Sequence, residues 1–470
     1  MIKTLAQKEL TELWREGRVK WFAVIISLLL VTTAVTSFRY SRQLKSDHAA
    51  GMKADRETWD NQGPKNPHGA AHYGFYLFKP VSPLSLFEPG VDRYMGSTLY
   101  LEAHIRNNEQ YAAIGDESDL SRLGFLSPAF ILQYLLPLLI IIAGFNIISK
   151  ERENDNARLL LSQGASGRQL FFGKWLALFI LVSLILVPGF LLGLALLLVQ
   201  RAGTYQYAAT GAMFILYLLF YAIIINIILW ISQASRQSGH ALLYGIVFWM
   251  LSSVLAPRLS ASLSGQLSPL LRHDEVMDRV RELARNQADA HSSGGTGDKH
   301  LIDSLLKHYK VDTVTKLPVN LSGIRLDMGE QRDTRNYEIL TAEQERRLAR
   351  QQNIITTGSL FSPLIPAQQL SMALSNTDVY SHRHFADEGE QYRRKFVGIM
   401  NRYLAYESGA PNNGTNYQAD EKLWKRVPAF SYQAPGFRIL TRYIPSAIIL
   451  TGWLLITLTL LLISANRFKP

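Results

Sequence analysis

The sequence predicts an α-helical membrane protein with six spans, a small external domain after the first span and a large, mainly helical external domain between the fifth and sixth. Uncharged apolar residues form six long blocks, and about 20 such residues suffice to cross the hydrocarbon core of a bilayer. The short connections between blocks are basic on one side only, and two long polar segments follow the first and fifth blocks. The predicted spans are Trp21–Phe38, Ser127–Ser149, Trp175–Gln200, Gly211–Ser232, Ala241–Pro257 and Tyr443–Ala465.

The first apolar block is predicted to be a retained span rather than a signal peptide. It begins late, follows a charged leader and has no small-residue cleavage site after it. Within the leader, residues 1–20, one helical stripe contains Leu5, Leu10, Leu13, Trp14 and Val19. This spacing predicts an amphipathic helix on the inner membrane surface, although a plain juxtamembrane helix fits the same pattern.

Basic residues in the short flanks predict the orientation, because such residues stay on the cytoplasmic side. They occur in the leader, in the loop 150–174, between the fourth and fifth blocks, and in the tail 466–470. All four lie on one side if both termini are cytoplasmic. The segments 39–126 and 258–442 are then external, and the positive charges in such long segments do not oppose this orientation.

Several function classes are disfavoured by the composition. No predicted span carries an interior Asp, Glu, Lys or Arg, which are the usual residues of ion-coupled transport. The closest approach to a P-loop is GRQLFFGKW, in which Trp175 replaces the required hydroxyl residue, and neither HExxH nor GxSxG occurs. The chain has no cysteine, so disulfides and Cys-based metal sites are excluded. The net charge of +11 comes without a basic and aromatic cluster of the nucleic-acid-binding type.

The two external segments differ in pattern. The smaller one is rich in Pro, Gly and aromatic residues and predicts irregular structure with short elements. The larger one predicts helices over Arg272–Ala290, over TAEQERRLARQQNI with a capping box at Thr341 and Gln344, and over His384–Glu407. A shorter helix is predicted for PLIPAQQLSMALS, and a flexible break for HSSGGTGDK.

Histidines in the external segments raise the question of a metal site. His68 and His72 stand four residues apart in NPHGAAHYGFYLFKP, but the Pro and Gly residues around them argue against a stable helix across the pair. No carboxylate lies in that block, and His382 and His384 could add ligands only if the two segments meet. Because three or four converging ligands are needed, we expect no metal here. Helix capping and hydrogen bonds between the segments account for these residues.

The loop 150–174 contains KEREN, LLLSQGASGRQLFFGKW and a short predicted helix. On basic charge alone it fits an ordinary connecting loop. It resembles the segment between the second and third spans of ABC-2 type transporter permeases, in which an acidic E-R-E-x motif leads into a helix that docks on the ATPase. Carried over to this chain, the resemblance implies these coupling residues: Glu151, Arg152, Glu153, Asn154, Arg158 and Leu159. Similar loops continue with Gly-Thr, whereas this chain has Asp155-Asn156.

The external segments resemble the DUF3526-containing group of these permeases. The resemblance rests on the stretch from NPHGAAHYGFYLFKP to EAHIRN and on HRHFADEGEQYRRKFVGIMN. Its motif residues are His68, His72, Tyr73, Glu102, His104, His384, Tyr392 and Arg393. The resemblance implies the type V, or ABC-2 exporter-like, fold, located in the bacterial inner membrane.

The resemblance also implies the function. The chain would be the permease subunit of an exporter and not itself an enzyme. Two copies of a separate ABC ATPase would bind ATP and Mg, and a second permease chain, identical or paralogous, would complete the pathway. A periplasmic partner could bind the external domains. Two alternatives remain: a membrane scaffold or signalling protein whose external domain binds a partner, and, with weaker support, a membrane metalloenzyme.

Overall fold

The computed structural model describes residues 1–108, 110–112, 126–285, 296–408 and 416–468. Among these residues, six helical segments are long and apolar enough to cross a membrane. They are Gly17–Asp60, Pro128–Glu153, Gly167–Val199, Thr204–Ala234, Ser238–Leu267 and Gly436–Asn466, called spans 1 to 6 here. Each contains one predicted block or overlaps it, so the sequence prediction of six spans is confirmed by length and composition. Spans 2 and 4 are the most buried of the six.

The chain begins with two helices, the second of which contains span 1. Helix α1 covers Ile2–Arg15, and α2 covers Gly17–Asp60; the extended backbone of Glu16 separates them. Helix α2 therefore runs far beyond the predicted end of the first span at Phe38. Charged residues end a membrane-spanning stretch, but Lys, Arg, Gln, Met and Ala still favour a helix. The prediction of irregular structure directly after the first span was wrong for this reason.

The short helix α3 follows at Pro67–Tyr73. Helices α4 to α10 then form spans 2 to 5 and the loop between spans 2 and 3. Span 2 begins at Pro128, passes a π-helical turn and continues as α4 (Leu136–Gly144) and α5 (Ser149–Glu153). Next along the chain come α6 (Asn156–Ser162), α7 (Gly167–Val199) and α8 (Thr204–Ala234). Span 5 joins α9 (Ser238–Trp249) to α10 (Ala256–Leu267) through a second π turn. Pro257 falls in the first turn of α10, where a missing N–H costs little, so the helix passes the predicted end of this span.

The described residues of 61–112 and 268–435 pack together into what we call the two-segment domain. Strands β1 (Phe75–Phe78), β2 (Gly96–Leu101) and β3 (Gln110–Ala112) form an antiparallel sheet in the order β1-β2-β3. The helices are α11 (His273–Arg285), α12 (Thr296–Tyr309), α13 (Leu321–Gly358), α14 (Leu364–Ser375), α15 (Val379–Arg402) and α16 (Glu421–Trp424). Helix α17 (Ile444–Asn466) then forms most of span 6.

The predicted helices of the larger segment are present, with two corrections. The segment TAEQERRLARQQNI lies inside α13, which begins at Leu321 and is capped by the Asn320 side chain, so the capping box at Thr341 was wrong. Gln344 instead holds the backbone of Leu271, accepting from its N–H and donating to its carbonyl at 2.9 and 2.8 Å. Residues 286–290 of the first predicted helix and 291–295 of the predicted break lie outside the described residues, and the rest of that break begins α12.

An aromatic core joins the two segments of the domain. The ring of Trp59, from the end of α2, lies 5.7 Å from that of Phe396 and 5.9 Å from that of Trp424. Its indole N–H donates to the Trp424 carbonyl at 3.1 Å. Edge-to-face rings of this kind stabilise a core beyond their buried area. Helix α14 is different, because Leu364, Ala367 and Leu374 pack into the core of the spans.

A buried guanidinium connects three elements of the domain. Arg393 of α15 is 1% exposed. It donates to Glu390 at 2.7 Å, to Glu330 of α13, and to the carbonyl of Glu102 after β2 at 3.1 Å. Burial alone would raise the pKa of Glu390, but the hydrogen bonds and charge of Arg393 hold that pKa below its ordinary value. The carboxylates of Glu330 and Glu390 therefore depend on Arg393 for compensation.

We predict that Arg393→Ala destabilises the two-segment domain by about 3–5 kcal/mol, because the buried Glu330 loses its guanidinium partner and the buried Glu390 keeps only the half-buried Arg394. Thermal unfolding of the full chain in detergent measures the change. The neighbour Arg394 also bonds Glu390 but is 32% exposed, so Arg394→Ala is the matched control and should change the melting temperature much less. Equal effects of the two variants would contradict the role assigned to Arg393.

The lowered pKa of Glu390 also predicts an acid sensitivity. Its folded pKa lies below the unfolded value, so the stabilisation is present above the unfolded pKa and disappears as the pH falls through the folded pKa. Glu390→Gln should therefore flatten the fall in melting temperature on the acid side of pH 4.5, the ordinary value for this group. Melting curves of both proteins across that window test this, and identical pH profiles would rule it out.

Candidate functional site

The loop between spans 2 and 3 is a compact two-helix turn. Helix α5 ends at Glu153, and Asp155 adopts a left-handed conformation with φ of 55° before α6 begins. Ser166 then starts α7 with a reciprocal capping box to Gln169. Similar loops have glycine where Asp155 stands, and glycine is the residue that adopts positive φ most easily. Asp tolerates this conformation better than most residues, so the departure from the family pattern keeps the turn.

Glu151 is buried and forms part of an ion triad. The ammonium group of Lys174, on α7, donates to Glu151 at 2.9 Å and to Glu9 of α1. The side chain of Lys174 is 2% exposed. Burial raises the pKa of Glu9 above its ordinary value, although the Lys174 charge opposes the shift. The triad fastens α1 and α5 to the start of α7.

Arg152 and Glu153 fasten two further helices. Arg152 donates to the Gln233 carbonyl at 3.1 Å, at the end of α8. The Glu153 carboxylate accepts from the backbone N–H of Ser238 at 2.6 Å and from its hydroxyl at 2.9 Å, at the start of α9. A carboxylate at a helix N-terminus and a guanidinium at a C-terminus both complement the helix dipole. The three consecutive residues 151–153 therefore contact four other helices: Glu151 pairs with Lys174 of α7 and lies 3.6 Å from Lys8 of α1, while Arg152 and Glu153 bond to the ends of α8 and α9.

The other predicted coupling residues lie on the surface. Asn154 and Arg158 are exposed, and the Leu159 side chain is 57% exposed. Ala157 on the opposite face of α6 is fully buried and anchors that helix. Of the six predicted residues, Glu151 is buried and Arg152 half-buried, whereas the other four are exposed, Glu153 among them although it bonds to the start of α9.

Sequence reasoning missed Glu9 and the role of Lys174. Glu9 follows Ala6 by three residues and precedes Leu13 by four, so it lies on the buried face of α1. An acidic residue on an apolar stripe was the available signal. Helix α1 packs closely on α7, since a Cβ at Gly173 would lie 2.7 Å from the Leu5 side chain. Trp14, predicted to lie on the apolar stripe, is 51% exposed.

A cavity of about 910 Å³ opens between the distal part of α2 and the sheet. Its wall is mostly apolar, with Tyr40 from α2 and Tyr76 and Phe78 from β1. Lys79 and Asp92 form an ion pair there, and the Lys79 ammonium lies 3.3 Å from Nδ1 of His382. Burial would raise the pKa of Asp92, but the Lys79 charge lowers it below its ordinary value. His382 therefore belongs to this cavity and not to the cluster around His68.

His68 and His72 lie on one helix, contrary to the sequence prediction. Pro67 is the first residue of α3, where its missing N–H costs nothing, and the Asn66 side chain caps the N–H of Gly69 at 3.1 Å. Gly74 ends the helix with φ of 49°. The Pro and Gly residues that argued against a helix thus mark its two ends.

The fold brings a third histidine to this pair. Nε2 of His68 lies 3.1 Å from Nε2 of His72 and 3.3 Å from Nε2 of His104, which follows β2. Nδ1 of His68 faces the Asn401 oxygen at 2.9 Å, and Nδ1 of His104 faces Asp333 at 2.8 Å. These three histidines, called the histidine cluster here, could hold a metal ion.

The remaining motif residues lie around this cluster or in the core. Tyr73 is exposed, with the Lys65 ammonium 4.7 Å from its ring centre. Glu102 accepts from Asn107 at 2.7 Å. The Tyr392 hydroxyl donates to the Pro428 carbonyl at 2.6 Å, and burial raises the pKa of this group to about 12. The His384 ring packs 5.6 Å from that of Tyr432.

We predict that Lys174→Met destabilises the chain by about 3–5 kcal/mol, because Glu9 loses its buried ammonium partner and Glu151 keeps only the half-exposed Lys8 at 3.6 Å. Helix α1 should detach and become accessible to protease. Adding Glu9→Gln and Glu151→Gln to Lys174→Met should restore most of the loss, since a neutral triad has no buried charge.

Lys150 is the control for this variant, because its side chain is 51% exposed and lies 3.8 Å from Glu16. Such surface pairs contribute little. Thermal unfolding and limited proteolysis of the full chain in detergent measure both effects. Failure of the triple variant to regain stability would show that charge burial is not the cause.

Comparison with known proteins yields two family matches. Residues 112–253 match the model of the ABC-2 family transporter proteins, and residues 275–433 match a domain of unknown function, DUF3526. A comparison with curated proteins gives no match. The first match covers the loop 150–174 and most of spans 2 to 5, and the second covers the larger part of the two-segment domain. Proteins of the ABC-2 family are components of membrane transporters and are not themselves catalytic. The chain therefore belongs to the ABC-2 family transporter proteins that carry a DUF3526 domain, and it is a multi-pass membrane permease.

Proposed function

We propose that this permease is the membrane subunit of an ATP-driven exporter, coupled through residues 149–162 to a separate ABC ATPase. Family membership implies an ATPase partner and a membrane. The observation that supports the coupling site is that some residues of this loop face outward while adjacent ones bond to neighbouring helices. Asn154, Arg158 and Leu159 are exposed, while Glu151, Arg152 and Glu153 bond directly beside them to α7, α8 and α9.

The proposed mechanism follows from those bonds. Two ATPase subunits, which hold ATP and Mg, would dock on the exposed face of α6. Their closure on ATP would displace α6 and α5 together, because one Asp155 turn joins them. The displacement would reach α1 and α7 through Lys174, the end of α8 through Arg152, and the start of α9 through Glu153. A conformational change of this kind needs contacts that differ between two states, and these anchors are the candidates.

The cavity beside α2 supports transport of a cargo. It is large enough for a drug-sized ligand, mostly apolar, and carries the Lys79–Asp92 pair on its wall. A second permease chain, identical or paralogous, would pack on the less buried spans 1, 5 and 6. Both termini would be cytoplasmic in a bacterial inner membrane, as the basic flanks indicate. The two-segment domain would then be periplasmic and available to a partner there.

The proposal predicts that charge placed on α6 uncouples the ATPase without unfolding the permease. Leu159→Asp, alone or with Arg158→Glu, should abolish co-purification with a partner ABC ATPase co-expressed with this chain and remove permease-dependent ATP hydrolysis. Its melting temperature should stay that of the wild type, because Leu159 is exposed. Val314→Asp places the same charge on an exposed apolar residue of the two-segment domain and should retain the complex.

The scaffold or signalling alternative makes the opposite prediction. If the wild-type chain, co-expressed with that ATPase, neither binds it nor changes its ATP hydrolysis, the exporter proposal is wrong. Variants of Glu151 or Glu153 are unsuitable for this test, because both carboxylates bond to other helices of the permease and their loss would disturb the fold as well as docking.

A further inference from the structure

We propose that His68, His72 and His104 form a binding site for a divalent transition-metal ion, with zinc as the expected occupant. The first observation is convergence. The Nε2 atom of His68 lies 3.1 and 3.3 Å from those of His72 and His104, and all three ligand atoms lie within 4.8 Å of one another. Zn–N bonds of about 2.0–2.1 Å in a tetrahedron place the nitrogens about 3.3–3.4 Å apart. Two of the three spacings in this chain are therefore already close to those of a three-histidine zinc site, and a small rotation of the exposed His72 ring can adjust the third.

The second observation concerns the other nitrogen of two of these rings. Nδ1 of His68 lies 2.9 Å from the Asn401 oxygen, and Nδ1 of His104 lies 2.8 Å from a carboxylate oxygen of Asp333. An oxygen of either type can only accept, so with Asn401 oriented in this way each Nδ1 is the donor. In the neutral ring, Nε2 then presents its lone pair to the cluster. Metal-binding histidines are held in this way, with the second nitrogen donating to an amide or carboxylate oxygen.

This protonation pattern leaves an electrostatic problem that a cation resolves. The lone pairs of His68 and His104 meet at 3.3 Å, and like partial charges at that distance repel each other. A single extra proton on one ring can bridge only one pair of nitrogens, whereas a metal ion accepts all three lone pairs. The competing arrangement is a protonated His104 held by Asp333, with His68 accepting its Nε2 proton. That arrangement needs no metal and is an outcome of the test below.

The third observation is how the backbone of His104 is held. Its φ is 66°, a left-handed conformation in which Asn, Asp and His are enriched among L-residues. The Glu330 carboxylate accepts its backbone N–H at 2.8 Å, and Glu330 is itself held by Arg393. The surrounding structure therefore fixes the backbone from which the His104 ring reaches the other two.

The ligand set indicates the class of ion. Three neutral imidazoles suit zinc, copper and nickel, whereas magnesium and calcium require oxygen ligands. Three protein ligands leave a fourth position for water or an outside ligand. His72 is exposed while His68 is buried and His104 half-buried, so solvent reaches the cluster from the His72 side. The site would bind an ion whether or not the chain transports a cargo.

Binding at this site would stabilise the two-segment domain. The ligands come from α3 and from the residues after β2, while Asn401 and Asp333 come from α15 and α13. A bound ion therefore fixes contacts across both segments of a domain that has no cysteine with which to form a disulfide. Since an ion that binds only the folded state raises stability by mass action, zinc should raise the melting temperature.

The test uses the full-length chain, purified in detergent, stripped with a chelator and desalted. Zinc is titrated in competition with a chromophoric chelator, and bound metal is measured by mass spectrometry. The wild type should bind one zinc per chain in this site and melt at higher temperature with zinc. Cobalt bound there should give the visible spectrum of a tetrahedral ion. His72→Ala, which removes an exposed ligand, should weaken zinc binding by at least about 100-fold, more than the 10–100-fold typical of an outer-shell loss.

Two further variants separate the site from a structural role. Asp333→Asn keeps the shape of the residue next to His104 and should weaken binding about 10–100-fold. His300→Ala removes an exposed histidine from α12 and should leave stoichiometry and affinity unchanged. Zinc-free melting temperatures show whether each variant folds.

Three results would overturn the proposal. One is a wild type that binds no zinc. Another is a His72→Ala variant that binds zinc as the wild type does. The last is an equal loss in His72→Ala and His300→Ala, which would indicate adventitious binding to surface histidines. A wild type whose stability does not respond to zinc but changes between about pH 5 and 8, a window in which histidines change charge and which lies above that of Glu390, would also overturn it and would indicate the protonated cluster instead.

Discussion

The two-segment domain depends on charge compensation around Arg393. Its two halves are separated in the chain by spans 2 to 5, so interactions between them must hold the domain together. A domain assembled from distant segments closes a long loop, and loop closure must be offset by interactions between the segments. Arg393 supplies several at once, to Glu390, to Glu330 and to the carbonyl of Glu102. Glu330 in turn fixes the backbone of His104. The position of the histidine cluster therefore follows from a buried ion network a few residues away.

At the opposite end of the spans, another buried cation lies between two carboxylates and connects helices there. Lys174 compensates two buried carboxylates and so fastens α1 and α5 to α7. Arg152 and Glu153 reach α8 and α9 through helix ends, where backbone carbonyls and N–H groups lack partners within the helix. These contacts make the loop stiff where it meets the spans, while α6 is anchored by the buried Ala157 and otherwise faces outward. A stiff connection transmits displacement, which a flexible connecting loop does not.

The sequence was sufficient for features that depend on local pattern. Hydropathy located six spans, and helical spacing found the helices at Arg272, Leu364 and His384 to within a few residues. The sequence prediction failed where a helix continues past the end of an apolar block, as α2 does beyond Phe38. It also failed where Pro and Gly residues can either break a helix or mark its ends. Pro67 and Gly74 were taken to oppose a helix that they in fact begin and end. Contacts such as Glu9–Lys174 and His68–His104 depend on tertiary packing, and no local spacing in the sequence encodes them.

The histidine cluster shows why family matching alone does not describe this site. Asp333 and Asn401 lie within residues 275–433, which match DUF3526, but His68, His72 and His104 precede both matched ranges. One segment supplies the ligands and the other supplies the residues that orient them. Each half is chemically incomplete: a pair of histidines on a short helix is too few for zinc, and an aspartate with an asparagine is no histidine site. Only the packed domain combines them, so the metal-binding property belongs to the junction of the two segments.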